Sequence, residues 1–182
     1  QNVTGQNSIE FTLMSGDHII EIEAFDRAGN SALRTIKIHV SIPPEVEATL
    51  SGFALIEYYF NRTTLELTIS VTAYADFNVS VYVDASLVIH ETYSLGSYAL
   101  AYSLNITEEG AHRVLVCVRD SEGYTVTKSF DIVVDLTPPT IEILSPKPNA
   151  EIVGTKVNIT WRITDELSGI YKAYLYVDGK EL

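Results

Sequence analysis

The sequence predicts an all-β protein of tandem antiparallel sandwiches, one complete and one split between the chain ends. Three observations predict it. Nearly every segment of the 182 residues alternates apolar and polar side chains with period two, the mark of strands with one buried face. Dipeptides such as Asp178-Gly179, which accept positive φ, turn these segments back on themselves. Whole groups of motifs also recur at a spacing of 94 residues.

The strands follow from the alternation. Ile20, Ile22 and Ala24 share one face of an early strand, and Ile36, Ile38 and Val40 share one face of "TIKIHV". In "FNVSVYVD" the inward set is Phe77, Val79, Val81 and Val83; in "VNITWRIT" it is Val157, Ile159, Trp161 and Ile163. Leu167, Ile170, Tyr171, Tyr174 and Leu175 fit helical spacing. Gly169 and the aromatic, β-branched content there favour a strand from Tyr171 to Val177 instead. No long helix is expected elsewhere.

The repeat sets the domain organisation. His18, Asp26 and Gly29 match His112, Asp120 and Gly123, each pair 94 residues apart. Ile36, Ile38 and Val40 match Phe130, Ile132 and Val134 at the same offset, and "YVD" at Tyr82–Asp84 recurs at Tyr176–Asp178. The pairs Pro43-Pro44 and Pro138-Pro139 lie 95 apart. Residues 42–137 therefore hold one complete copy. Residues 138–182 hold the first half of a second, and residues 1–41 hold the last half. Read as 138–182 followed by 1–41, the two ends make one domain, so each end is expected to be completed by another copy.

Composition bounds function. Apolar residues make up 46% and charged ones 20%, a globular balance. A net charge of -12 excludes nonspecific binding to nucleic-acid phosphates. No apolar run is long enough to span a membrane as a helix. No charged-then-apolar leader follows Gln1, so any signal peptide is already gone or lies outside the sequence. A single cysteine, Cys117, rules out an internal disulfide framework and any multi-cysteine zinc site.

Asparagine is more informative. Five of the eight Asn residues, Asn2, Asn61, Asn78, Asn105 and Asn158, stand in N-x-[ST] sequons. With Ser and Thr at 32 of 182 positions, chance gives only one or two. The excess points to an exported protein carrying N-linked glycans. Asn158 and Asn78 alternate with inward residues and so face outward; Asn2, Asn61 and Asn105 fall in turns or at strand ends.

"TPPTIEILSPKPNAEIVGTKVNITWRITDELSGIYKAYLYVDG" and "SGDHIIEIEAFDRAGNSA" resemble the bacterial and archaeal immunoglobulin-like (Big-type, fibronectin-III-like) domains of cell-surface proteins. The "TPPT" entry, "SP", "SGI", "YVDG" and the run ending in "AGN" carry the resemblance. It covers 138–182 and about 15–40 well, and 42–137 weakly, because that copy has Ala85 where "YVDG" has Gly. It implies a seven-stranded antiparallel sandwich and a surface location, with His18 and His112 as structural histidines. It implies no particular activity.

No catalytic motif, cofactor loop or metal-ligand spacing is present, so no enzyme, cofactor or metal is expected. Asp26, Asp120, Asp135 and Asp165 fall in turns or linkers, where calcium is one reading and bonding of their own turn backbone the preferred one. Cys117 is the counterpart of Glu23 and so points away from its own core. Tyr82, Tyr174 and Tyr176 also point outward, which suits a protein interface or a sugar platform.

Three functional readings follow. The favoured one is a subunit of an extracellular filament, a homopolymer in which copies complete each other's half-domains by strand addition. Its interface is the completed core: Val157, Ile159, Trp161 and Ile163 of one copy against Ile20, Ile22, Ile36 and Ile38 of the next. A half-sandwich alone exposes about ten such side chains, each worth roughly 1.5–3 kcal/mol when buried. The alternatives are a window of a longer tandem surface protein, such as an S-layer or adhesin stalk, and an accessory sugar-binding module of a secreted hydrolase.

Overall fold

The computed structural model describes residues 8–51 and 58–182. Its regular structure is entirely β. The chain opens with a long hairpin, β1 (Gly16–Phe25) against β2 (Ser31–Val40), whose ten antiparallel rungs run from Gly16 opposite Val40 to Phe25 opposite Ser31. Ile20 stands opposite Ile36 and His18 opposite Ile38, so the apolar residues of both strands share one face.

Among the described residues, a sandwich of eight strands follows. One sheet joins β3 (Glu45–Ser51), β5 (Thr64–Ala73) and β8 (Gly96–Asn105) in the order β3-β5-β8. The other joins β4 (Tyr59–Phe60), β6 (Phe77–Val83), β7 (Ser86–Tyr93), β9 (Gly110–Asp120) and β10 (Thr125–Val134) in the order β4-β10-β9-β6-β7. Alternation built both inner faces. Leu65, Leu67, Ile69 and Val71 of β5 meet Val79 and Val81 of β6 and Val114, Val116 and Val118 of β9 in one sealed core. Every buried hydrophobic residue among those described lies between Val46 and Val134.

The open side of this sandwich, between β7 and β8, is closed by aromatics. Tyr93 stacks on Phe77 with centroids 5.4 Å apart, and Tyr98 packs edge-on to Phe77 at 5.6 Å. The Tyr93 and Tyr102 hydroxyls lie 2.9 Å apart, and both donate to the Glu91 carboxylate. The Tyr93 and Tyr102 bonds hold Glu91 below its usual range; burial and the bonds to Glu91 push both tyrosines above theirs.

The C-terminal segment holds two short ladders. β11 (Thr140–Ser145) pairs with β12 (Thr160–Thr164), placing Ile141 opposite Ile163 and Ile143 opposite Trp161. β13 (Tyr176–Val177) and β14 (Lys180–Glu181) close a hairpin over Asp178 and Gly179, at φ 50° and 77°.

Three expectations change. The sandwich is not wholly antiparallel: β3 enters one sheet, and β4 joins the other by running parallel to β10. The predicted strand over Tyr171–Val177 is a ladder only at Tyr176–Val177: among the described residues no strand pairs with Tyr171–Leu175, although the Leu182 N–H donates to the Leu175 carbonyl at 3.0 Å. The strand predicted over "VNITWRIT" begins at Thr160, since β11, its one partner among the described residues, bulges between Ile143 and Ser145 and ends there.

The β6–β7 turn carries Asp84 and Ala85 at φ 49° and 68°. Left-handed φ crowds the Ala85 Cβ, and glycine has none. Ala85→Gly is expected to stabilise the chain by about 1 kcal/mol, read as a rise in urea midpoint with an unchanged slope.

Candidate assembly interface

Two of the flanking sheets, β1–β2 and β13–β14, repeat the central sandwich rung for rung. Every pairing of β1 with β2 reappears 94 residues later between β9 and β10: Ile20 with Ile36 becomes Val114 with Phe130, and Gly16 with Val40 becomes Gly110 with Val134. The β13–β14 rungs, Tyr176–Glu181 and Val177–Lys180, reappear 94 residues earlier as Tyr82–Leu87 and Val83–Ser86. The turns agree in atomic detail. Asp26 Oδ1 accepts from the N–H groups of Ala28 and Asn30, as Asp120 Oδ1 accepts from those of Glu122 and Tyr124. These carboxylates hold their own turns, and the Asn30 bonds keep Asp26 below its usual range. No cluster of three or more His, Cys, Asp or Glu suited to a metal occurs among the described residues.

Environment is what differs. Ile22 is 66% exposed, and its counterpart Val116 is fully buried. Trp161 is 44% exposed, and the residue 94 positions earlier, Leu67, is fully buried. Ile159 and Ile163 likewise map onto Leu65 and Ile69, and Ile20 onto Val114, all core residues. Ile36 and Val157 are exposed; Ile20, Ile38, Ile159 and Ile163 are half-buried. The eight sequence-predicted interface residues thus form two apolar faces, one on β1–β2 and one on β11–β12 with the segment before β12. Among the described residues the two do not share a sheet.

The histidines bind the hairpins. The His112 ring, almost fully shielded, lies 2.6 Å from the Asp84 carboxylate through Nδ1 and 2.9 Å from the Glu108 carbonyl oxygen through Nε2. Both partners only accept, so the imidazolium fits best. Burial works against that charge, but Asp84 and Glu108 outweigh it and the pKa stands above its ordinary 6.5. The His112 bond in turn lowers Asp84 below 3.8, helped by the Arg113 N–H at 2.8 Å. His18 makes the matching Nε2 contact, 2.8 Å from the Met14 carbonyl oxygen. Asp84 was not among the residues singled out from sequence; the shared 94-residue spacing of "YVD" and the histidines was the signal.

Polar contacts join the flanks to the sandwich. His39 bridges Asp17 at 2.8 Å and Glu122 at 3.3 Å, and the bond to Asp17 raises its pKa. Asp135 Oδ2 accepts from the Ser168 N–H at 3.0 Å, and the hydrogen bonding to Ser168 lowers the Asp135 pKa. Asp165 Oδ1 accepts from the Gly169 N–H at 2.7 Å. A cleft of about 740 Å³ lies beside this junction, lined by Phe60, Asn61, Pro138, Pro139, Tyr171 and Tyr174 among others.

Three of the sequons, Asn61, Asn105 and Asn158, are exposed. Asn78 is half-buried on the outer face of β6, where its Oδ1 accepts from Thr92. Asn2 lies outside the described residues. Cys117 is half-buried on the outer face of β9, opposite Ser80 and Thr127. Tyr174 and Tyr176 are exposed, with ring centroids 6.4 Å apart, and Tyr82 is half-buried.

Residues 139–182 match the bacterial Ig domain family. Among solved structures the chain is similar to the CARDB domain of a Pyrococcus furiosus protein solved by solution NMR, at 24% identity and a TM-score of 0.39, over 52% of this chain and 98% of that one. It is also similar to a crystal structure of that CARDB domain in complex with di-metal ions, at 20% identity and a TM-score of 0.38, over 62% and 99%. No curated protein matches. No helix among the described residues is long and apolar enough to cross a membrane.

The His112–Asp84 pair gives a pH signature. A raised histidine pKa stabilises below 6.5 and the contribution is lost as pH rises through the elevated value; a lowered aspartate pKa stabilises above 3.8 and is lost as pH falls through the depressed one. The stability lost on His112→Gln is therefore expected to be greatest between 3.8 and 6.5 and to shrink above that window. Urea midpoints of both proteins across pH measure it.

Proposed function

We propose that this chain is a structural subunit of an extracellular, cell-surface filament, in which residues 138–182 of one copy and 1–41 of the next close into one Ig-like sandwich. The observation that carries the reading is the contrast in burial: apolar residues exposed on both flanks correspond, at constant offset, to residues sealed in the central core. A sheet with one apolar face is stable when that face is covered. The contact is heterologous and so propagates head to tail. The interface is the same whether successive copies are separate chains or consecutive segments of one polypeptide; the mass extracted in hot denaturant distinguishes the two. In this reading the protein is not an enzyme, its partners are copies of itself, and its sequons carry glycans.

Trp161 tests the assembly. Replacing a buried Trp by Ala costs roughly 3–5 kcal/mol. Here the loss falls on association, so Trp161→Ala is expected to shift the chain toward monomer in sedimentation velocity while residues 42–137 keep their cooperative unfolding. Arg162→Ala, on the opposite face beside Glu142, changes sedimentation little. Equal assembly of Trp161→Ala and the parent chain would sink the filament reading.

Glycosylation is tested separately. Asn158 is exposed, and the Asn78 Nδ2 is not used in the bond to Thr92. Both are expected to carry glycans in native material. Intact-peptide mass spectrometry showing two bare asparagines would remove the main support for export.

A further inference from the structure

The central sandwich supplies a template for the strand pairing that the flanks lack. There β6 and β9 pair antiparallel, with Phe77 opposite Asp120, Ser80 opposite Cys117 and Val83 opposite Val114. The β6–β7 turn is then fastened to β9 by three bonds: the Asp84 N–H donates to the Arg113 carbonyl at 3.0 Å, the Arg113 N–H donates to Asp84 Oδ1 at 2.8 Å, and His112 Nδ1 meets Asp84 Oδ2 at 2.6 Å.

Moved by 94 residues, this template fits two segments that do not pair in this chain. The segment before Tyr176 has extended-strand composition and no ladder. Among the described residues, the free edge of β1 has no neighbour but β2. Asp178 has φ 50°, against 49° for Asp84, at the same place in an equivalent hairpin. His18 has the Nε2 contact of His112, and its Nδ1 has no partner among the described residues. His18 lacks, among the described residues, the carboxylate that His112 finds in Asp84.

We propose that the interface between copies is locked by Asp178 of one copy against His18 and Ile19 of the next, with residues 171–177 pairing antiparallel to β1. The register places Tyr171 opposite Asp26, Tyr174 opposite Glu23 and Val177 opposite Ile20. Asp178 Oδ2 accepts from His18 Nδ1, Oδ1 accepts from the Ile19 N–H, and the Asp178 N–H donates to the Ile19 carbonyl. Tyr171 then enters the core in the place of Phe77, and Leu175 in that of Val81. This deepens the filament reading and rests on it. It adds the register and the pair of charged groups that select it, since a slip of one residue would turn every apolar side chain outward.

The test uses the full chain with Cys117→Ser, so that introduced cysteines are the only thiols. Glu23→Cys with Tyr174→Cys sits on the outer face, away from the core. Oxidation is expected to yield covalent species of two or more chains on a denaturing gel, with little from the slipped control Ala24→Cys with Tyr174→Cys. Asp178→Asn keeps the left-handed turn but removes the charge, and His18→Gln removes the ring. Each is expected to weaken association about tenfold in a sedimentation dilution series, and the double variant little further, because one bond is lost in all three. If Trp161→Ala disrupts assembly while these variants do not, or if the slipped pair crosslinks better, the lock is wrong and the filament reading stands. Crosslinks confined to single chains, or a chain that stays monomeric at every concentration, overturn both.

Discussion

An antiparallel sheet whose side chains alternate apolar and polar needs a second apolar surface against its inner face. In the central sandwich the requirement is met within the chain: β5 lies against β6 and β9, and the side chains between them are shut off from water. The rest of the molecule depends on the same requirement. The β1–β2 hairpin has the register of β9–β10 and similar side chains, and differs in having no opposing sheet among the described residues. Equal pattern with unequal burial is the main structural fact about this protein.

Polar groups act at the corners, where the hydrophobic pattern says little. Asp26 and Asp120 each satisfy the N–H groups of their own turns. Asp84 fastens one hairpin to a neighbouring strand through a histidine. Asp135 reaches across to Ser168 in the C-terminal flank. The acidic residues that first suggested calcium are therefore occupied with backbone and side-chain donors, each doing what an oxygen acceptor at a turn does best.

Much of this was legible in the residues. Period-two alternation assigned Val79 and Val81 to the inner face, and the repeat matched Ile132 and Val134 to the inward Ile38 and Val40; all four of the central residues are buried. The 94-residue repeat anticipated that β1–β2 and β9–β10 share one register. The parallel placement of β4 was not legible, because it is decided by which neighbour offers free backbone groups, and Phe60 finds Val134 and Asp135. Nor was the short extent of β12, since alternation marks a residue pattern suited to a strand and not the presence of a partner. The alternation of the eight apolar residues on the flanks could also be read directly, and the structure leaves Ile22, Ile36, Val157 and Trp161 among them exposed. The Asp84–His112 contact could not, since a turn aspartate looks alike whether it holds only its turn or also a histidine across a strand.

The parallel pairing of β4 with β10 carries a mechanical consequence. The Val133 N–H donates to the Tyr58 carbonyl at 2.9 Å, and the Asp135 N–H to the Phe60 carbonyl at 2.9 Å. Tension along the polypeptide pulls β4 toward the amino end and β10 toward the carboxyl end. Strands that run the same way then slide past each other, and the bonds between them share the load and must fail together. In an antiparallel hairpin loaded at its open end, the bonds would instead break in succession. Two residues of parallel ladder are thus loaded in shear once tension has passed β3, which precedes β4 in the chain.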